Sequence, residues 1–105
     1  MPSERTQFSW SENKQVPEGP GCYVIATMDD TVLYVGQATR SVRARMAAHL
    51  ESAEKRKGIN GIVPFWFYYL AADPQSVGAI EGGWINQSIL EDGMIPPLNR
   101  VHSPV

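Results

Sequence analysis

The chain is poor in the residues that build metal clusters. Its 105 residues include a single cysteine, Cys22, and only two histidines, His49 and His102. One thiol forbids an internal disulfide, and so small a supply of soft ligands excludes a cysteine-rich zinc site. Long apolar runs are missing too. The longest, Ile62 to Ala72, has 11 residues and contains Pro64, whereas a spanning helix needs about 20. The N-terminal residues are polar and lack the apolar core of a signal peptide, so a cytoplasmic location is expected. No repeat or low-complexity tract breaks the sequence. Nor does one sign of charge dominate: nine basic and eleven acidic residues leave a net charge of −2, which argues against a generic nucleic-acid binder.

The distribution of that charge says something different. Arg40, Arg43, Arg45, Lys55, Arg56 and Lys57 fall between positions 40 and 57 against only Glu51 and Glu54, so this segment carries +4 and the remainder −6. A basic face on an acidic body suits a phosphate-bearing partner, although a solvated helix face has the same composition. Hydrophobic content of 43% is that of a globular chain, and the length is that of one domain.

Residues 1–20 are polar, end in Pro17 and Pro20, and read as an N-terminal arm. Within it Phe8 and Trp10 suggest a short extended piece docking on the domain, or a partner contact. The domain itself covers 21–105. Its first strand runs from about Cys22 to Met28, turns at Asp29 and Asp30, and returns as a strand from Val32 to Gln37. Ser41 is a helix N-cap, followed by an apolar stripe of Val42, Met46, Leu50 and Ala53. This helix should stop before Gly58, with Asn60 and Gly61 turning the chain. A third strand, Pro64 to Ala71, is apolar on both faces and therefore central or covered. Its aromatic run, Phe65 to Tyr69, reads as core, as does Cys22. Asp73 and Pro74 open a second helix that runs to Asp92 and stops at Gly93. The order β-β-α-β-α predicts an α+β fold, a small three-stranded, mostly antiparallel sheet flanked by helices.

Three features on this frame carry chemistry. Arg45 and His49 sit four apart on the first helix and so share one flank. On the second helix Val77, Ile80, Trp84 and Ile85 mark the inward face, and Glu81 lies among them. A carboxylate there is costly to ionise unless it is paired or binds a metal. Gly82 and Gly83 follow it inside the helix, at about 1 kcal/mol each relative to alanine, which calls for an offset: tight packing, or room for a bulky ligand.

The strand ends complete a pattern. Gly21-Cys22-Tyr23 and Tyr34-Val35-Gly36 stand on paired strands, Arg45 and His49 lie in the helix segment Val42 to His49, Glu81 follows on the second helix, and Pro96-Pro97-Leu98-Asn99 comes last of the motifs. Together these motifs make residues 21–99 resemble a GIY-YIG nuclease domain. The resemblance implies a Mg²⁺-dependent endonuclease acting on DNA with one metal ion, held by Glu81, for which Mn²⁺ could substitute. It implies that Arg45 stabilises charge on the phosphate, with Arg43 the alternative because the loop "QATRSV" is one residue longer than in the excision-repair branch. Tyr23 would position or deprotonate the attacking water, a phenol of pKa ~10 lowered by the metal and an arginine. Tyr34 and His49 would hold water and phosphate in line, and Asn99 would tie the C-terminal segment to the site. Gly21 and Gly36 would keep the backbone small where substrate comes close, with Gln37, Arg40 and Arg43 as further substrate contacts. Gln37 stands where the excision-repair branch has lysine, so no lysine role carries over. Selectivity would come from a homodimer or a separate DNA-targeting protein. The rival reading is a non-catalytic nucleic-acid-binding module that kept the fold.

Overall fold

The computed structural model describes residues 4–52, 63–92 and 99. Its middle layer is one antiparallel sheet built from β1 (Arg5–Gln7), β2 (Gly21–Ala26), β3 (Val32–Ala38) and β4 (Trp66–Ala71), in the order β1-β4-β2-β3. The sheet thus has four strands, not the three expected. The added strand comes from the segment read as an arm, and it is too short for alternation to mark it: of its three residues only Thr6 is buried. Because β1 covers the outer edge of β4, the aromatic strand is internal to the sheet. That placement explains why it is apolar on both faces.

The β2–β3 hairpin turns at Asp29 and Asp30 as the sequence predicts. Asp30 has φ 67, the left-handed region that aspartate tolerates, and the Thr27 hydroxyl donates to the Asp29 carboxylate. Between the turn and the strand ends, period-two alternation sorts the side chains. Tyr23, Ile25, Tyr34 and Phe67 point to one face, where they pack with Val42, Met46 and Leu50 of helix α1 (Val42–Glu51). Val24, Val35 and Tyr68 point to the other, under Trp84 and Ile85 of helix α2 (Val77–Asp92). The sheet is therefore buried on both sides between the helices.

Ser41 caps α1 as expected, its hydroxyl accepting from the Ala44 N–H at 3.1 Å. Ala53, the predicted stop at Gly58 and the turn at 60–61 lie outside the described residues. The second helix starts three residues later than Pro74 suggested. Asp73 to Ser76 instead form a turn, closed by the Ser76 N–H on the Asp73 carbonyl at 2.9 Å, and the helix begins at Val77. Gly93 and the C-terminal tail, Asn99 excepted, also fall outside the described residues. Among the described residues, no helix is long and apolar enough to cross a membrane.

Candidate active site

Tyr23 on β2 and Tyr34 on β3 project to the α1 face, with ring centroids 6.0 Å apart. Tyr23 is fully enclosed, stacked on Phe67 at 5.2 Å, and its hydroxyl lies 2.6 Å from Nε2 of the buried His49. The His49 ring also meets Tyr34 edge-on at 4.9 Å. Tyr23 sits opposite Gly36 in the β2–β3 register. A Cβ on Gly36 would come within 2.3 Å of Tyr23 Cζ, and one on Gly21 within 2.2 Å of the Leu70 carbonyl oxygen. Both glycines are buried. They make room for the protein's own atoms, not for substrate, and that part of the sequence reading is corrected: the two motifs are linked because the glycine of one holds the tyrosine of the other.

Arg45, one turn before His49, brings its charge to this cluster. It hydrogen-bonds Tyr23 and acts electrostatically on Tyr34 and Glu81. Burial pushes both phenols above their ordinary value while Arg45 pulls them down, and burial wins. These directions are those of the metal-free protein, whereas the lowering expected at Tyr23 requires a bound divalent ion as well as Arg45. The two phenols also act on each other.

Glu81 reaches the same neighbourhood from α2, on the other face of the sheet. It is 8% exposed, and its Oε2 has no hydrogen-bond partner among the described residues. Burial raises its carboxyl above the ordinary range and the Arg45 charge opposes this. Cys22, beneath the start of α2, donates its thiol to the Val77 carbonyl at 3.3 Å, and burial pushes its pKa to about 11. A thiol so held is inert core.

An open cleft of about 430 Å³ lies beside Arg45, between the end of β3 and the start of α1, with Gln37, Thr39, Arg40 and Ser41 among its lining residues. Arg40 is exposed there. Thr39 and Ser41 were missed as lining residues, although two hydroxyls flanking an arginine in the β3–α1 loop were a legible polar signal. Arg43 points elsewhere. Its Nε donates to the Val16 carbonyl and its Nη2 to the Lys14 carbonyl, each at 2.8 Å, and its Nη1 lies 3.5 Å from Glu18. These partners hold the Arg43 guanidinium toward the arm, and it is not among the residues lining the cleft. Asn99 holds the outer edge of β3: Oδ1 accepts from the Val35 N–H and Nδ2 donates to the Val35 carbonyl, both at 2.8 Å. Its amide completes the edge strand one residue from Tyr34.

The model of the GIY-YIG catalytic domain matches residues 19–89. The chain belongs to that family, a family of endonucleases. No curated protein matches the chain significantly. Among solved structures, the chain is similar to the GIY-YIG N-terminal endonuclease domain of UvrC from Thermotoga maritima, bound to its catalytic divalent cation, magnesium. The TM-score is 0.57 and the identity 14%, over 74% of this chain and 86% of that one. A tyrosine point mutant of the same domain gives a TM-score of 0.55, over 76% of this chain and 91% of the other. At this identity the likeness shows the fold.

In this GIY-YIG domain no group of three or more His, Cys, Asp and Glu side chains that could hold a metal is found among the described residues. One carboxylate suffices for Mg²⁺, however, which keeps several waters and takes only one or two carboxylates together with substrate phosphate. The buried, unpartnered Oε2 of Glu81 fits such an ion.

Proposed function

We propose that this domain is a Mg²⁺-dependent endonuclease that hydrolyses phosphodiester bonds in DNA with a single metal ion, Mn²⁺ substituting. The observation that carries the reading is Glu81: a carboxylate with a buried oxygen that has no hydrogen-bond partner among the described residues, in the field of Arg45, which itself lines a cleft with Arg40. A structural carboxylate so placed would need a hydrogen-bonded partner on that oxygen. That the Thermotoga maritima domain was solved with a catalytic magnesium ion supports the same reading.

Glu81 would hold the ion, which when bound supplies Lewis acidity toward the scissile phosphate and its leaving oxygen. Arg45 offsets the charge growing on the non-bridging oxygens. The Tyr23 hydroxyl lies 2.6 Å from His49 Nε2, and the Tyr23 and Tyr34 ring centroids are 6.0 Å apart. Tyr34 also feels Glu81 directly. Tyr34 would accept a hydrogen bond from the attacking water, while Tyr23, enclosed and held beside His49, would position it. Lining up water and phosphate in this way is where most of the rate gain would arise.

Incubation with supercoiled plasmid tests the proposal. Mg²⁺ should produce nicked and then linear product, EDTA should abolish it, and Glu81→Gln should abolish cleavage while leaving DNA binding measurable. Binding without any metal-dependent cut by the intact chain would identify a binding module instead.

A further inference from the structure

We propose that Arg43 is a positioning residue, and that it and residues 13–19 form a latch that sets the first turn of α1 and through it Arg45 and His49. The proposal rests on the nuclease reading for its catalytic consequence, but its structural half stands apart from it.

The opening turn of a helix leaves its first N–H groups without partners inside the helix. Here the arm supplies two of them. Val42 N–H donates to the Gly19 carbonyl at 3.0 Å and Arg43 N–H to the Pro17 carbonyl at 3.1 Å. Ser41 caps Ala44, and the Asn13 side-chain amide donates to the Arg43 carbonyl at 3.1 Å. The Arg43 guanidinium closes the latch from the other side, through the Val16 and Lys14 carbonyls and Glu18. Backbone and side chain of one residue thus grip one short stretch of chain at five points, and Val16 itself is buried in the α1-side core.

A helix of this length, ten residues, is marginal by itself. What fixes its axis is packing along Val42, Met46 and Leu50, and the latch at its start. Arg45 is two residues past Arg43, so a first turn released from the arm displaces the guanidinium that faces Tyr23, Tyr34 and Glu81. Displacements of about 1 Å at such a centre can cost as much as 100-fold in rate. Most of the arm lies ahead of residue 19, where the match to the family begins. Arginine is required because its planar fork reaches two carbonyls and a carboxylate at once, whereas a lysine ammonium is a point charge.

The experiment uses the full chain with Arg43→Ala, Arg43→Lys and Asn13→Ala. It measures single-turnover cleavage at saturating duplex DNA, the salt dependence of DNA binding, and amide exchange at Val42 and Arg43. Arg43→Ala should slow cleavage about tenfold or more, leave affinity and salt slope unchanged, and speed exchange of both amides at least tenfold. Arg43→Lys should fail to restore the rate. Asn13→Ala, which keeps every charge, should move exchange in the same direction by less, and it stands in if Arg43→Ala does not fold. Rescue by lysine, or a loss of affinity with the salt slope reduced by about 1 and the rate intact, would make Arg43 a phosphate contact and overturn the latch. If the wild-type chain does not cleave, the nuclease reading fails, and exchange still decides: unchanged protection in both variants overturns the latch, and lost protection establishes it.

Discussion

At the scale of single residues, the site is a set of contacts in which one side chain leaves room for another. Gly36 is the sharpest case. A methyl group there would overlap the Tyr23 ring at 2.3 Å from Cζ and 2.5 Å from the hydroxyl, and Tyr23 is pinned between Phe67 and His49. Gly36→Ala should therefore destabilise the fold by about 1–3 kcal/mol, the usual range for overpacking, and disturb the Tyr23–His49 bond. An unchanged melting temperature would show that the ring has somewhere to go. Glu81 behaves in the opposite sense. Its carboxyl is raised by burial, so the folded state binds its proton more tightly than the unfolded chain does. The metal-free protein then loses stability as pH rises from the ordinary carboxylate range through the raised folded value, and the full penalty remains above it. Glu81→Gln removes that penalty. In EDTA, the melting temperature of the variant relative to wild type should rise between pH 4 and pH 8. A difference that is flat or falls over this interval would show that the carboxylate is stabilised by a partner.

At the scale of elements, the hairpin, α1, the aromatic strand and α2 were all legible, because each carries a periodicity or a cap: alternation in Val32 to Gln37, Ser41 before Val42, and the stripe through Val77, Glu81 and Ile85. Grouping of Tyr23, Tyr34, Arg45 and Glu81 could also be anticipated, since matching strand ends and one flank of each helix place them together. Three things could not be read. β1 is too short to show a pattern, its pairing with β4 being decided by long-range contact. The partners of Arg43 lie on a segment whose polar composition resembles a free arm. The reason for Gly36 depends on the direction of one ring. Gly82 and Gly83 remain the least accounted for, because a Cβ on either meets nothing within 4 Å among the described residues and neither is buried. Among the described residues, tight packing, one of the two offsets considered for their helix cost, is therefore absent. Gly82→Ala with Gly83→Ala should stabilise the metal-free protein by about 2 kcal/mol in all. A loss of stability would mean that these positions do not sit in regular helix in solution. If stability rises while DNA cleavage falls, the open space beside Glu81 serves the substrate.

For the whole molecule, charge limits how DNA can be held. The net charge is −2, and the basic segment from 40 to 57 carries +4 against −6 elsewhere. Of its described arginines, Arg43 is occupied by the arm, which leaves Arg40 and Arg45 to edge the cleft. About three phosphates could be neutralised together if one more cation of the segment joins them. Since log K falls by about 0.9 per log unit of salt for each phosphate contact, a slope near −3 is expected for duplex DNA. Base readout requires side chains that enter a groove. The described β3–α1 connection, only residues 39–41, is too short to supply a recognition element. Cleavage by the chain alone should therefore be weakly selective, and sharper selection would come from a homodimer or a separate DNA-targeting protein. A salt titration on one fixed duplex, together with cleavage mapping on a random-sequence library, measures both quantities. A slope steeper than about −7, or a sharp cleavage motif produced by the monomer, would reveal a recognition surface beyond the cleft. Addition of a second copy or a targeting protein that narrows the motif without changing the single-turnover rate would place selectivity in binding and leave the chemistry with Arg45 and Glu81.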